Sequence, residues 1–294
     1  MKKIGWIGVG LMGSRMAPRL LDAGYDLCVC DTVREHCDDI VAKGAAFVAD
    51  PAALTAQADV VFSIIPNAAV LKTVGFGEKG VASAVKPGQI FVDMSTVDPA
   101  SSAEVNEAME RKGAKFVRCT LSGSVDHASE GRLTVMASGD PDAYGQVRPV
   151  LEKLGDRHYY LGGREESRYM KIIVNMLLGT SIQALAESLV MGEAVGVDWR
   201  QMLQVISDSS AANAMMTLKK EFIQNRDFSP MFTGMNMEKD MNLAMDIAKE
   251  AHLSLPLASI SRQMYAAMTG QGVQDLDYSA VLLVNEVLNG IQHG

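Results

Sequence analysis

A strand that runs straight into three spaced glycines leaves a chain few ways to fold, and this sequence opens with one. Ile4-Gly5-Trp6-Ile7 is a short apolar run, and Gly8-Val9-Gly10-Leu11-Met12-Gly13 follows it without a break. Met12, Met16, Leu20 and Leu21 then recur at the spacing of one buried helix face, which Gly24 ends. A second strand, Asp26 to Cys30, closes on Asp31. A lone G-x-G-x-x-G says little. Strand, glycines, helix, strand and terminal acid within about 30 residues specify a dinucleotide-binding unit. Gly8 permits the tight turn, Gly10 lets the backbone approach a pyrophosphate, and Gly13 lets the helix pack on the sheet. The anion then sits on the helix N-terminus, next to Leu11 and Met12. Asp31 stands about 18 residues beyond Gly13, where a carboxylate accepts hydrogen bonds from the adenosine ribose hydroxyls and repels a 2′-phosphate. The expected cofactor is therefore NAD, with NADP the poorer fit. Arg34 is the nearby residue that would meet a phosphate, unless it is simply a solvated helix start.

Alternation of strand and helix continues. Strands are expected over Val60 to Ile65, ending at Pro66-Asn67, over Gln89 to Asp93, ending at Met94-Ser95-Thr96, and over Lys115 to Arg118. Such strand ends face the cofactor crevice of an open α/β sheet. A last pair, Leu133 to Ala137 and His158 to Tyr160, brackets a helix that starts near Pro141. From about Ser167 helix replaces alternation, with Pro230 and Pro256 at helix boundaries. At 294 residues the chain has room for two domains of about 100 to 200 residues each. The expected fold is α/β, with a Rossmann-type dinucleotide-binding domain over 1–163. An all-α domain follows over 164–294, joined by a long interdomain helix.

The helix expected over Ser167 to Val195 carries Lys171 and Asn175, which stand four apart and so share one face. Met170, Ile172, Ile173, Val174, Met176, Leu177, Leu178, Ile182, Leu185, Leu189 and Val190 surround them. A helix apolar on nearly every side is expected to be buried. A membrane span is the competing reading, but the uncharged run from Ile172 stops at Glu187, short of the roughly 18 residues required. A lysine on a buried face needs a partner, solvent or a ligand. The bland solution is that Lys171 reaches the rim or pairs with an acid such as Glu165.

Composition closes off other classes. With 27 basic and 35 acidic side chains, net −8, no basic stripe offers a nucleic-acid or acidic-membrane surface. Met1-Lys2-Lys3 leads directly into the first strand, so a secretory signal would consume the glycine motif, and a cytoplasmic location is expected. Cys28, Cys30, Cys37 and Cys119 are too scattered for a disulfide framework. Cys28, Cys30, His36 and Cys37 suggest a zinc site only on paper. Two of these thiols share one face of a strand under a helix, so buried thiols and no metal are expected.

In their order and separation, several motifs resemble those of the β-hydroxyacid dehydrogenases, which include 3-hydroxyisobutyrate dehydrogenase and tartronate semialdehyde reductase. They are the glycine turn, Ile65-Pro66-Asn67, Asp93-Met94-Ser95-Thr96, and Ser122-Gly123 with Gly131 and Leu133-Thr134. Lys171 with Asn175, Lys239-Asp240 before Leu243-Ala244, and Asp277-Tyr278-Ser279-Ala280-Val281 extend the likeness over essentially the whole chain. The resemblance implies reversible NAD(P)-dependent oxidation of a small anionic 3-hydroxyacid to its semialdehyde. By position Lys171 is similar to the family's catalytic lysine and Asn175 to the asparagine that orients it or the substrate. Ser122 and Gly123 resemble the loop that holds the substrate carboxylate, and Thr96 and Lys239 resemble residues at the nicotinamide end. The resemblance also implies a homodimer or homotetramer formed through the helical half.

These residue types suit that chemistry. Hydride transfer to an aldehyde builds alkoxide charge, which a nearby ammonium stabilises and then protonates. Burial and a second cation such as Lys239 push a lysine toward useful acidity. Ser122-Gly123-Ser124, with Lys239 and Arg118, would form a nest for an anionic substrate. Lys239 has a bland alternative too, in pairing with Asp240 or Glu238. Departures from the pattern fall on the substrate side. Where many members read Asp-Ala-Pro-Val-Ser-Gly-Gly this chain reads Arg118-Cys119-Thr120-Leu121-Ser122-Gly123-Ser124, and Glu165 and Ser167 replace glycines. Asp126 and His127 are also unusual. A reductase of imines or of a sulfonated aldehyde, or a cofactor-binding sensor or scaffold without turnover, are the alternatives. Lys171 favours catalysis over the last.

Overall fold

The structure, a computed structural model, describes residues 2–291. Position 1 and positions 292–294, the outer ends of the expected domain ranges, lie outside the described residues. Strands form where short apolar runs are flanked by turn residues: β1 Lys3–Ile7, β2 Asp26–Cys30, β3 Ala46–Phe47, β4 Val60–Ser63, β5 Ile90–Asp93, β6 Lys115–Ser122, β7 Leu133–Gly139 and β8 Gly155–Tyr160. Between them lie α1 Gly13–Asp22, α2 Asp38–Ala42, α3 Pro51–Gln57, α4 Ala68–Phe76, α5 Pro99–Glu110, α6 Val125–Glu130 and α7 Pro141–Leu151. Then come α8 Glu166–Ala194, α9 Trp199–Asp208, α10 Ala214–Gln224, α11 Gly234–Glu250, α12 Pro256–Gly270 and α13 Val281–Leu288. Asp50, Asp98 and Asp140 cap α3, α5 and α7 through their carboxylates, each followed by proline at the first helical position.

The strands form one sheet in the order β3-β2-β1-β4-β5-β6-β7-β8. Every neighbouring pair is parallel except β6 and β7. The order reverses at β1, so the C-terminal ends of β1 and β4 flank the switch point where open α/β sheets bind their ligands. Apolar side chains cover both faces, as parallel strands require. Trp6, Val29, Phe62, Val92 and Cys119 pack under α1 and α7 on one face, and Ile7, Cys30, Val61 and Phe91 under α3, α4 and α5 on the other.

The chain divides into two compact units, Met1–Lys171 and Ile172–Gly294, and α8 runs unbroken through the division. In the second unit Ile182, Leu185, Leu189, Leu203, Met241, Tyr265 and Val281 form a helical core. Gln183 on α8 exchanges hydrogen bonds with Asn285 inside it, at 3.0 and 3.1 Å. By length and composition alone α8 is apolar enough to cross a bilayer. Its buried polar ties argue for a core helix instead.

Three expectations need correction. The helix is not buried all round, since Ile173, Leu177 and Met191 are 51%, 65% and 69% exposed, and one stripe of its apolar surface is left uncovered by this chain. The strand expected to end at Arg118 continues to Ser122, because antiparallel pairing of Val117–Ser122 with β7 holds residues too polar to read as an apolar run. Ile64 and Ile65 leave the sheet early because the Ile65 N–H donates to the Ser95 hydroxyl (2.9 Å) rather than to a strand. The four cysteines are free and buried, Cys28 and Cys30 against one face of the sheet and Cys37 in the core of the other. Burial pushes the Cys30 thiol up to about 12 and raises that of Cys119 further, so both are neutral at ordinary pH.

Candidate active site

The glycine turn separates by contact into two glycines where a side chain would clash and one where it would meet nothing. Gly8 has φ +93°, and a Cβ there would lie 2.1 Å from the Ile64 carbonyl oxygen. At Gly13 a Cβ would lie 2.0 Å from the Gly8 oxygen. At Gly10 nothing stands within 4 Å, so what its missing side chain leaves is open space before the N-terminus of α1. Leu11 beside it is exposed and Met12 half-buried. That cradle, with free N–H groups at a helix start, fits a dinucleotide pyrophosphate. Asp31 accepts the Val9 N–H on one oxygen (2.7 Å) and the Val33 N–H on the other (2.9 Å), bracing the same turn. His36 lies 3.4 Å from it. Arg34, by contrast, is held by Asp38 at 2.6 Å and lies over the Phe47 ring. Pro66 is exposed, and the Asn67 carboxamide caps α4 by accepting the Val70 N–H at 3.0 Å.

Beyond β5 a buried polar network replaces apolar packing. Asp93 accepts the Ser63 hydroxyl (2.5 Å) and the Ser95 hydroxyl (2.8 Å). Its other oxygen faces Arg168 at 2.6 Å, and neither side chain has any surface in water. Arg168, in the first turn of α8, also donates to the Ser95 carbonyl (2.5 Å) and the Ser102 hydroxyl (3.1 Å). One residue earlier, the Ser167 hydroxyl accepts the Thr120 N–H at 3.0 Å and donates to the Met136 carbonyl at 2.6 Å. Thr120 and Met136 face each other across β6 and β7, so this hydroxyl spans the ladder. Glu165 pairs with the buried Arg118, whose guanidinium burial shifts down and Glu165 shifts back up. Arg118 is thus held inside the scaffold by Glu165.

Lys171 is half-buried, one turn beyond Ser167. In the second unit, Asn175 donates its amide to Asp240 (2.5 Å), and Lys239 lies 2.8 Å from the other Asp240 oxygen. Back in the first unit, Ser122 ends β6 and Gly123 has φ +146°. Ser124 caps α6: its hydroxyl meets the His127 Nδ1 at 2.7 Å, and its N–H donates to the same nitrogen at 3.2 Å. Its polar atoms are thus already engaged locally. Thr96 is half-buried just past β5.

Two sequence profiles cover nearly all of this chain. The NAD-binding domain of 6-phosphogluconate dehydrogenase matches residues 3–162, and the NAD-binding region of NADP-dependent 3-hydroxyisobutyrate dehydrogenase matches residues 166–284. The chain belongs to the β-hydroxyacid dehydrogenase family. It is 34% identical to 2-(hydroxymethyl)glutarate dehydrogenase of Eubacterium barkeri over 98% of this chain and 96% of that one. Glyoxylate/succinic semialdehyde reductase 1 of Arabidopsis thaliana is 31% identical over 95% and 97%. The crystal structure of 3-hydroxyisobutyrate dehydrogenase from Salmonella typhimurium superposes with TM-score 0.89 at 28% identity, covering 97% of this chain and all of that one. The protein is accordingly an oxidoreductase with a Rossmann-type NAD(P)-binding half.

Against the family pattern, the departures answer one another. Arg118 stands where many members carry aspartate, and its partner Glu165 stands at a glycine position. Thr120 stands at a proline position and supplies the N–H that proline lacks, to Ser167, which also replaces a glycine. Sequence reasoning missed Arg168 and the ties of Asn175 to Asp240. It also missed Lys219, buried against Asp277 at 2.7 Å, where the same carboxylate receives the N–H groups of Met231 and Phe232. The available signal was an arginine three residues before Lys171 on an otherwise apolar helix.

The glycines yield a contrast that can be measured. Gly8→Ala is expected to lower the melting temperature by several degrees or prevent folding, because both φ and space forbid a Cβ. Gly10→Ala should melt within about 2 °C of the parent, a surface-sized change, yet weaken NADH binding by about tenfold or more in a fluorescence titration. Unchanged NADH affinity in Gly10→Ala would take the pyrophosphate off this turn.

Proposed function

We propose that the protein is an NAD-dependent dehydrogenase/reductase that interconverts a small 3-hydroxyacid, or a related anionic alcohol, and its semialdehyde. The observation that supports this reading most is Lys171, half-buried on α8 one turn beyond the tied Ser167, in a chain whose relatives include hydroxyacid dehydrogenases and semialdehyde reductases. Gly8, Gly10, Leu11, Met12, Gly13, Asp31, Pro66, Asn67 and Thr96 would hold the dinucleotide, with Lys239 toward its nicotinamide end. When bound, that group would supply the hydride for the aldehyde carbon or accept it from the alcohol. Lys171 moves the accompanying proton, protonating the carbonyl oxygen in reduction and taking the hydroxyl proton in oxidation. Its positive charge also stabilises the alkoxide as it forms. Asn175, fixed by Asp240, orients the lysine or the substrate. Ser122, Gly123 and Ser124, aided by Lys239, would receive the substrate anion, in the case of Ser124 only if its bonds to His127 open.

Lys171→Ala is expected to lower kcat by roughly 10²-fold or more with NADH affinity little changed. Asn175→Ala should cost less, because it positions and does not transfer the proton. Retained turnover in folded Lys171→Ala would remove the lysine from the mechanism.

Cofactor and substrate are read from one matrix of kcat/KM values. NAD(H) should be preferred to NADP(H), supported by Asp31 and by the engagement of Arg34 with Asp38. Methylmalonate semialdehyde, tartronate semialdehyde or a sulfonated analogue should exceed size-matched uncharged aldehydes by a large factor, since dehydrated anion-binding groups left unpaired cost free energy. Equal use of NADPH would overturn the Asp31 reading, and comparable rates on uncharged aldehydes would overturn the anion nest.

The exposed stripe of α8, with Leu257 and Ile260 exposed on α12, supports a homodimer or homotetramer built on the helical unit. Sedimentation of the purified chain is expected to give two or four times its 31.6 kDa, and a monomer at micromolar concentration would refute this.

A further inference from the structure

We propose that Arg168 is a positioning residue for the reaction: through Asp93, Ser95 and Ser102 it sets the Lys171 turn of α8 in register with the Ser95–Thr96 end of β5. This rests on the reading of Lys171 as the proton-transfer group. All three kinds of guanidinium nitrogen are used. Nη2 meets Asp93, Nη1 meets the Ser95 carbonyl, and Nε meets Ser102 on α5. The fork is planar, so satisfying these acceptors fixes its orientation as well as its distance.

What the fork fixes is the relation between two chemical groups. Lys171 follows Arg168 by three residues on one continuous helix, close to a full turn, so the two side chains leave neighbouring positions on one face. Ser95 precedes Thr96 in the chain, and its hydroxyl and carbonyl are both held, by Asp93 and Arg168. Asp93 reaches onward to Ser63 at the end of β4, and Ser95 to the Ile65 N–H. A single buried ion pair therefore connects the C-terminal ends of β4 and β5 with the turn that carries the lysine. If the pair served only stability, apolar residues of similar size would do as well. Its directional bonds, placed one turn from Lys171, do what apolar residues cannot.

Removing one partner strands a buried charge, so the informative variants keep neutrality or charge. Arg168→Lys keeps the charge and loses the fork. Arg168→Gln combined with Asp93→Asn removes both charges. Ser102→Ala drops only one bond and endangers the fold least. Reduction of the best semialdehyde would be measured well below each melting temperature, in single turnover and at steady state, beside NADH affinity and Lys171→Ala. In Arg168→Lys and the double variant, the single-turnover rate and kcat should fall by about 10- to 100-fold, the scale of a misplacement near 1 Å. Ser102→Ala should lose about threefold or more, and NADH affinity and KM should stay within about twofold throughout. Loss in Lys171→Ala with unchanged single-turnover rates in the folded Arg168 and Ser102 variants would overturn the proposal while leaving the lysine its role. Turnover retained in Lys171→Ala would overturn the reading of the lysine, and this proposal with it.

Discussion

A guanidinium with no surface in water is tolerable only where its donors meet acceptors and its charge meets an opposite one. Arg168 satisfies that condition at the place where the sheet hands over to α8. Removing one member of such a pair costs about 3–5 kcal/mol, whereas replacing both with apolar residues is often neutral. Net stability is thus a poor reason for the pair. Register is a better one, because Ser95, Ser102 and Asp93 come from different elements and only one placement of α8 serves all three. Ser167 and Glu165, bonded to β6 and β7 just before it, restrict the same turn from the other side. Lys171 inherits whatever precision that turn has.

The cofactor end is built differently. Its shape comes from missing atoms, with the turn at Gly8 and Gly13 too close to neighbouring carbonyls for a side chain and the space at Gly10 left open. Asp31 then braces the turn through one backbone N–H on each oxygen. A carboxylate oxygen has lone pairs for a second donor, so the brace and a pair of ribose hydroxyls are compatible demands on one side chain. Arg34 meets no such double demand, being drawn to Asp38 and the Phe47 ring.

Local features of this kind were legible in the sequence. The glycine unit follows from spacing within one stretch, and the long helix, expected over Ser167 to Val195, is found at Glu166–Ala194. That Lys171 and Asn175 stand one turn apart on this helix follows from a separation of four. Pairings across the chain were not legible: Arg118 and Glu165 lie 47 positions apart, Asn175 and Asp240 lie 65 apart, and Arg168 and Asp93 lie 75 apart. No period connects such positions, and only the fold brings them together. The burial of Arg118 was hidden for the same reason. Alternation along a strand gives the face on which a side chain stands but not how deep that face is buried, and β6 lies inside the sheet between β5 and β7. The exposed stripe on α8 escaped for a related reason, since an apolar composition says that a surface wants cover and not whether this chain supplies it.

Departures from the family pattern divide into two kinds with different consequences. Arg118 with Glu165, and Thr120 with Ser167, are exchanges in which each new group meets the other, so charge is matched within the scaffold and the turn before Lys171 is tied to β6 and β7. Ser124 and His127 also meet each other, but as a cap on the short α6 at the end of the strand that carries Ser122. That bond takes up the hydroxyl and N–H which an anion would otherwise receive from Ser124. On the proposed reading Ser122 and Gly123 would take a larger share of the recognition, beside a half-buried imidazole and the exposed Asp126. On that reading a difference in substrate from the relatives would arise at Ser124 to His127, where the cap takes up donors of the loop, rather than at the pairs behind it, whose members meet each other.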